Sequence, residues 1–259
     1  MADKHKYHVD ALVKMDKIIS FIKNHPNSKF NEVLAGVELP KSSVYRIMCC
    51  LVEMNYLSIN EGDKYNLGTR LFELGYCVFD KMDIRTIAHS KLKEYRDRTG
   101  YTVHLGILSG TYEGLYIDKI KGNSYTTTKV QVGDPIELYC SAVGKSLLAW
   151  QSKQTITSAI ERIQFIKYTD TTIESSGQLL QDLEKTRKRG YSVDCAERES
   201  FIYGIGAPIF DMNHNEVASV SIGIFSPSEE KSLQDLQGIA GELIKVCDEI
   251  SQQLGTVNE

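Results

Sequence analysis

The sequence predicts an α+β protein. A small helical unit with a β-hairpin is followed by a linking helix and by a larger unit built on an antiparallel sheet. Two observations predict this class. Apolar residues recur at helical spacing in the first part of the chain and then alternate in two short runs. Beyond Gly100, predicted strands mix with helices without the regular alternation of a parallel sheet. A chain of 259 residues is long enough for two domains of ordinary size.

Three helices are predicted in the N-terminal unit. Apolar residues at helical spacing predict the first helix over residues 9–23, and the proline- and asparagine-containing run at 24–28 ends it. The second helix covers residues 30–35 and is expected to end at Gly36, a residue type favoured just past a helix. The third opens at Pro40, because proline in a first turn loses no hydrogen bond, and runs to about Met54.

A β-hairpin and a further helix follow. Short runs at 56–60 and 64–67 flank a glycine-containing turn, which is typical of a hairpin. Three helices followed by a hairpin is the layout of a winged helix-turn-helix, which we assign to residues 8–68. The helix predicted at 69–80 has more apolar surface than a free linker would carry, so we assign residues 69–82 to linkage and dimerisation.

Residues 83–259 are predicted to form the second domain, with the antiparallel sheet and its flanking helices. Strands are expected at 101–108, 115–120, 191–195, 202–210 and 217–225. Helices are expected at 84–98, 144–150, 175–188 and 233–254, the last of them amphipathic.

Composition narrows the class of protein. The net charge is −4, yet the first 70 residues carry ten basic and eight acidic side chains, so the acidic excess lies further on. We expect a cytoplasmic protein, because there is no apolar run long enough for a membrane span and no secretory signal. The six cysteines form no C-x-x-C pair and are expected to be mostly buried, reduced thiols, with no metal and no cofactor.

The third predicted helix has a polar side that suits contact with DNA. Its polar residues cluster near its start, and a recognition helix presents its N-terminal residues to the major groove. Arg46 is the best candidate for a bidentate contact to guanine or to phosphate. A merely solvated helix face is the alternative. The candidate DNA-contacting residues of this helix and of the hairpin are Lys41, Ser42, Ser43, Tyr45, Arg46, Lys64 and Tyr65.

Motifs stand in a fixed order along most of the chain: PKSSVYR at 40–46, KYNLG at 64–68, LFELG at 71–75, VHLG at 103–106, YIDKI at 116–120, SAVGKSLLA at 141–149, RGYSVD at 189–194 and APIFD at 207–211. Together they closely resemble the IclR family of bacterial transcriptional regulators, and Tyr45 before Arg46 is similar to its KdgR-like subgroup. The resemblance implies sequence-specific binding to double-stranded operator DNA, a homodimer or homotetramer, and a GAF-like domain for a small carboxylate effector.

The resemblance places the effector site around the turn that leads into the helix at 144–150. Backbone N–H groups at a helix start, together with the helix dipole, can bind a carboxylate without a basic side chain. Lys145 is expected to point away from the ligand, and a plain strand-to-helix turn is the alternative. Asp194 would accept hydrogen bonds from ligand hydroxyls. The effector-binding candidates are Ser141, Ala142, Val143, Gly144, Asp194, Gly204, Ser221 and Gly223.

The chain departs from the family pattern at two glycines. Gly204 and Gly223 stand where the family commonly has Cys and Ser, and Ala196 replaces the first of two acids, leaving Glu197. We expect a roomier pocket that accepts a sugar acid rather than a two-carbon acid. The subgroup resemblance favours a repressor released by its effector. An aromatic or short-chain acid, and a role as an activator, stay open.

An enzyme is the rival class. His104, Asp118, Asp194 and Ser141 could be imagined as a catalytic set, yet the chain has no nucleophile-elbow, zinc-protease or phosphate-loop motif. His104 lies within a predicted strand and is expected to be a hydrogen-bonded core histidine. We therefore expect no catalytic residues.

Overall fold

The computed structural model of the protein describes residues 9–79, 82–110, 113–123, 130–226 and 229–257. The chain divides into two compact units between Met82 and Asp83. The predicted first residue of the winged helix-turn-helix, residue 8, and the predicted last residue of the linking helix, residue 80, lie outside the described residues. Within the described part of the chain, no helix is long and apolar enough to cross a membrane.

The first unit contains the predicted three helices and hairpin. In chain order its elements are α1 (Asp10–Asn24), β1 (Ser28–Lys29), α2 (Phe30–Val37), α3 (Lys41–Glu53), β2 (Leu57–Asn60), β3 (Lys64–Leu67) and α4 (Thr69–Phe79). One apolar cluster joins the first three helices to the start of the hairpin, so burial of their apolar faces holds the unit together. Its buried members are Ile18, Ile22, Val33, Val37, Val44, Met48, Leu51 and Leu57.

Gly36 does not end α2, so that prediction is wrong. The helix continues to Val37, and Glu38 takes the left-handed cap conformation with φ of 50°. A Cβ on Gly36 would collide with the ring of Phe21 on α1. Gly36 therefore lets α1 and α2 pack closely.

A third strand beside the hairpin was not predicted. Ser28 and Lys29 of β1 pair with Tyr65 and Lys64 of β3, which gives the strand order β1-β3-β2. The turn before β1 is fixed by Asn27, whose φ is 64° and whose backbone N–H donates to the Asn66 side-chain oxygen at 3.0 Å. The segment that links α1 to α2 is thereby attached to the wing.

The second unit contains one six-stranded sheet and its flanking helices. Neighbouring strands are antiparallel throughout, in the order β6-β5-β4-β9-β8-β7. The helices are α5 (Asp83–Thr99), α6 (Ala142–Ala149), α7 (Lys153–Ile160), α8 (Ser176–Arg189) and α9 (Glu229–Val257). The strands are β4 (Thr102–Ser109), β5 (Glu113–Ile120), β6 (Pro135–Ile136), β7 (Ser192–Cys195), β8 (Ile202–Phe210) and β9 (Glu216–Phe225).

Helices cover both faces of this sheet. Gly204 and Gly206 of β8 face the start of α6. Strand alternation turns Ala207 to the opposite face, where its carbonyl oxygen lies 3.8 Å from the Cys247 Sγ of α9. α5 lies beside α9, with the Lys91 Nζ 2.9 Å from a Glu249 carboxylate oxygen. The sheet face under α6 is therefore separate from the face that α5 and α9 cover.

All six cysteines are free, but they are not mostly buried as expected. Cys140 and Cys247 are buried and Cys195 is half-buried, whereas Cys49, Cys50 and Cys77 are exposed. Cys49 and Cys50 lie on α3, and Cys77 lies on α4 between the exposed Tyr76 and Val78.

Candidate functional site

The predicted recognition helix, α3, separates a buried side from an exposed polar side. Val44, Met48 and Leu51 point into the core of the first unit. Pro40 caps the helix, and its carbonyl oxygen accepts from the Ser43 and Val44 N–H groups at 2.9 and 3.0 Å. The exposed residues near the helix start are Lys41, Ser42, Tyr45 and Arg46, while Ser43 is half-buried.

One of these side chains packs against a neighbouring ring, and two others border a groove. The Tyr45 ring packs edge-on against Phe30 of α2, with 6.0 Å between centroids. Arg46 and Ser43 lie at the border of a groove of about 410 Å³ between α1 and α3. Arg46 therefore occupies the edge of the exposed face.

The wing, formed by β2 and β3, places one of its lysines beside a lysine of β1. Lys64 is exposed at the start of β3, directly opposite Lys29 of β1, so two positive charges lie side by side at the edge of the small sheet. Sequence reasoning missed Lys29, because its neighbour across the sheet is distant in the chain. Tyr65 turns partly inward against the apolar cluster, and burial raises the pKa of its hydroxyl.

The second candidate site lies where α6 begins. The helix starts at Ala142, two residues before the predicted start, and Ser141 is its N-cap. The Ser141 hydroxyl accepts from the Gly144 N–H at 3.1 Å and donates to the Glu137 carbonyl at 2.6 Å. That hydroxyl is therefore used inside the turn, and the N–H groups of Ala142 and Val143 are the first-turn donors without a partner within the helix.

Small residues bring the start of α6 directly onto the sheet. A Cβ on Gly206 would lie 2.6 Å from the Ala142 carbonyl oxygen, and one on Gly144 would collide with the Glu137 carbonyl. The Ser192 hydroxyl of β7 donates to the same Ala142 carbonyl at 2.5 Å. Glycine at 144 and 206 is thus a steric requirement for seating the helix.

Strand pairing collects the predicted effector residues on one face. Asp194 pairs with Gly204, which pairs with Gly223. Two residues along, Ser221 of β9 pairs with both Gly206 and His104. Residues two apart in a strand share a face, so Asp194, Gly204, Ser221 and Gly223 all lie on the α6 side of the sheet.

The extra room expected at Gly204 is not there. A Cβ at this position would lie 3.0 Å from the Ile222 carbonyl oxygen and 3.4 Å from the Ala142 Cβ, so neighbouring atoms already use the space. At Gly223 a Cβ would lie 3.6 Å from the Tyr203 carbonyl oxygen, an ordinary contact distance. The missing side chain at Gly204 therefore brings α6 closer and does not enlarge the pocket.

Asp194 is a buried acid. Its Oδ1 accepts from the Glu197 backbone N–H at 2.8 Å. Burial, together with the nearby Glu197 carboxylate and against the opposing Lys145 ammonium, raises the pKa of Asp194 to about 7. A carboxyl group with a pKa near neutrality can accept a hydrogen bond from a ligand hydroxyl when ionised and donate one when protonated, so its role depends on pH.

Lys145 lies beneath this site and is fully buried. Its Nζ is 2.5 Å from the Glu197 Oε1 and 3.2 Å from the Asp182 Oδ2. Burial alone would lower the pKa of Lys145, but the two carboxylates outweigh burial and raise it. Lys145 joins α6 to α8 and to the turn after β7, so its ammonium is engaged by protein carboxylates.

The four residues considered as a catalytic set do not all lie on one face of the sheet. His104 faces α6 and is buried beside Tyr116, with 5.7 Å between ring centroids, and burial lowers its pKa to about 4. Asp118 is on the opposite face, where its Oδ2 is 2.6 Å from the His89 Nδ1 of α5. Among the described residues, no group of three or more His, Cys, Asp or Glu side chains is placed to hold a metal ion.

A three-helix unit with a wing, followed by a helix-covered antiparallel sheet with a buried polar site, is the architecture of a winged helix-turn-helix transcriptional regulator. The family described as "Bacterial transcriptional regulator IclR C-terminal" matches residues 77–252. The chain therefore belongs to the IclR family. The named relatives are transcriptional regulators, and this protein is a regulator and not an enzyme.

Three relatives illustrate the match. The regulator KdgR of Escherichia coli (strain K12) is 30% identical over 254 residues, which are 98% of this chain and 95% of KdgR. The crystal structure of the Thermotoga maritima IclR is 34% identical with a TM-score of 0.71, covering 96% of this chain and 100% of that chain. An IclR homologue from Microbacterium hydrocarbonoxydans, complexed with 4-hydroxybenzoate, is 18% identical with a TM-score of 0.76 over 95% and 99% of the two chains, and shares the fold.

Proposed function

We propose that this regulator is a repressor whose binding to operator DNA is relieved by a small hydroxylated carboxylic acid, such as a sugar acid. The observation that carries the proposal is the placement of Asp194 beside the start of α6. A carboxyl that can bind hydroxyl groups thus lies next to backbone N–H groups that can bind a carboxylate.

On the DNA side, α3 enters the major groove with Lys41, Ser42, Tyr45 and Arg46 forward. The exposure of these side chains supports this role. Lys64, next to Lys29, contacts the flanking phosphates, because adjacent lysines attract the DNA backbone. Ser43 and Tyr65, which are partly buried, contribute through their hydroxyl groups.

The protein binds its operator as a homodimer or a pair of dimers, because one winged unit makes too few contacts for a unique site. The seam lies on α4, where Phe72, Tyr76 and Val78 are 73%, 52% and 60% exposed. An apolar helix face exposed to that degree suits a second copy of the chain better than water.

In the effector site, the ligand carboxylate binds the N–H groups of Ala142 and Val143, and its hydroxyls bind Asp194 and Ser221. Gly204 and Gly223 form the floor between them. Ser141 and Gly144 act indirectly, by fixing the first turn of α6. Ligand binding then acts on α6, which touches four strands of the sheet.

An aromatic acid is the second candidate. The rings of His104 and Tyr116 next to the site would favour it, and a homologue of the same fold was crystallised with 4-hydroxybenzoate. Activation by a short-chain acid is the third candidate, and the same experiment distinguishes it from the other two.

The test begins with mapping of the DNA sites bound by the protein in its host cell. A bound fragment is then titrated with protein in the presence of gluconate, pyruvate or 4-hydroxybenzoate. Release of the fragment by gluconate alone supports the proposal. Release by pyruvate or 4-hydroxybenzoate alone, or tighter DNA binding with any acid, contradicts it.

A further inference from the structure

Arg198 is an exposed arginine in the turn after β7, and it has no ion-pair partner among the residues that the structure describes. Its guanidinium carbon lies 3.9 Å from the centroid of the Tyr168 ring, which is a close cation–π contact. Among the residues that the structure describes, no carboxylate lies within 4 Å of this guanidinium. The side chain is thus held by an aromatic ring and keeps its N–H donors available.

The backbone just before Arg198 is held in place by hydrogen bonds from three threonine hydroxyls. Ala196 has a left-handed φ of 56°, and its carbonyl oxygen accepts two threonine hydroxyls at 2.8 and 3.0 Å. The Glu197 carbonyl oxygen accepts a third at 2.7 Å. The three hydroxyls belong to Thr169, Thr171 and Thr172. Since Tyr168 directly precedes this threonine set, one short segment positions both the backbone and the guanidinium of Arg198.

This turn is continuous with the effector site. The Glu197 N–H binds Asp194, and Tyr168 packs on the buried cluster that contains Tyr116 and Cys140. Burial raises the pKa of the Cys140 thiol to about 12, while the charge of Arg198 acts in the opposite direction. Arg198 is therefore within electrostatic reach of groups that line the site. One carboxylate lies close to the Tyr168 ring, since Glu137 accepts from the Tyr168 hydroxyl at 3.3 Å.

We propose that Arg198 binds a second anionic group of the effector, so that the ligand is a polyhydroxy acid with a carboxylate at each end. This inference rests on the proposed effector site. One carboxylate binds the first turn of α6, the hydroxyls bind Asp194, and the far carboxylate binds Arg198. Asp194 is linked to both regions through neighbouring residues, because it pairs with Gly204, which lies beside Ala142, and accepts from the backbone N–H of Glu197, the residue before Arg198. Arginine suits this task because its fork of donors matches a carboxylate.

The test compares two probes that differ by one carboxylate, gluconate and glucarate, by calorimetric titration of the full chain at pH 7.5. The wild type is expected to bind glucarate at least about tenfold more tightly than gluconate, the effect of one charge-assisted hydrogen bond. Arg198→Gln should abolish this preference and leave gluconate affinity within about twofold. The matched control is Lys188→Gln, which removes an exposed cation from α8 and should change neither affinity.

The outcomes are separable. If gluconate binds and glucarate binds no better, or if Arg198→Gln leaves glucarate affinity intact, the role of Arg198 is overturned and the proposed effector site stands. If neither acid binds, both the sugar-acid effector and the role of Arg198 are overturned. Arg198→Lys supplies a further check, because it keeps the charge and loses the fork, and should retain only part of the preference.

Discussion

The Lys145 ammonium of α6 lies 2.5 Å from the Glu197 carboxylate, and both side chains are buried. Glu197 in turn donates its backbone N–H to Asp194. The predicted ligand-binding acid is therefore connected, through two contacts, to the helix on which the effector carboxylate is proposed to bind. A buried ion pair adds little stability by itself, but it costs much when one partner is removed.

Lys145→Met should destabilise the second unit by about 3–5 kcal/mol, because Glu197 and Asp182 would lose their shared cation inside the protein. Urea unfolding followed by fluorescence measures this cost, since Trp150 is the single tryptophan and follows α6. Lys188→Met, at an exposed ion pair, is the matched control and should cost under about 1 kcal/mol. Equal costs for the two variants would contradict a special role for Lys145.

The stability of the second unit should depend on Asp194 between pH 4 and pH 7. Burial raises its folded-state pKa to about 7, while an unfolded aspartate titrates near about 4. Folding therefore favours the protonated form, and its stabilising contribution is full below about pH 4 and is lost as the pH rises to about 7.

The difference in unfolding free energy between wild type and Asp194→Asn measures this contribution. It should fall with increasing pH in this range, by up to about 1.4 kcal/mol per unit, and then level off. Asp211→Asn is the control, because the pKa of Asp211 is shifted in the opposite direction. Bonds from Asn215 lower the Asp211 pKa, so its difference profile should be flat above about pH 5. A flat Asp194 profile would show that the carboxyl is ionised throughout.

Arg46→Ala should weaken operator binding by about tenfold or more per half-site, because a bidentate contact is worth about 1–3 kcal/mol. Gel shifts with a fragment found in cells give this affinity, and effector affinity should not change. In a plot of the logarithm of the affinity against the logarithm of the salt concentration, the slope should become shallower by about one unit if Arg46 contacts a phosphate. The slope should stay unchanged if Arg46 reads a base. The control Lys188→Ala removes one positive charge from α8 and should leave DNA binding intact. Unchanged gel shifts for Arg46→Ala would show that Arg46 does not contact the DNA.

Gly206→Ala should separate effector binding from DNA binding. Its Cβ would press on the Ala142 carbonyl oxygen and push the first turn of α6 off the sheet, at a cost of about 1–3 kcal/mol. Calorimetry should show effector affinity reduced at least tenfold, with unliganded operator binding retained. Gly177→Ala on α8, where an added methyl would meet no atom within 4 Å, is the matched control and should leave both affinities unchanged. If Gly206→Ala binds effector like the wild type, the start of α6 is not the carboxylate site.

The sequence predicted best the elements whose apolar spacing is a local property. The hairpin β2–β3 and the strand β8 lie where the alternation placed them, and α3 extends over the expected residues. The strands β1 and β6 were missed, because a two-residue strand has no period of its own and exists only through its partner. Gly36 was misread for a related reason: its requirement for glycine comes from Phe21, which lies on another helix.

For the proposed effector site, the family resemblance supplied the candidate residues, and the sheet register explains why four of them share one face. The surroundings of those residues were not predictable. Lys145 gives no sign in the sequence that it would be buried, because its compensation comes from Asp182 and Glu197 on two other segments. Arg198 reads as an ordinary surface arginine until Tyr168 is placed against it. Both roles depend on contacts between residues 30 or more positions apart.

The helices that open and close the second unit run antiparallel and side by side, and one register fits both ion pairs between them. Lys91 pairs with Glu249, and Arg98 with Glu242. Continued in the same register, this antiparallel pairing brings the start of α5 near the last described turn of α9. A domain with adjacent entry and exit points behaves as a cassette that tolerates circular permutation and insertion. The second unit can therefore be fused to a different DNA-binding domain, or to a reporter protein, through either end.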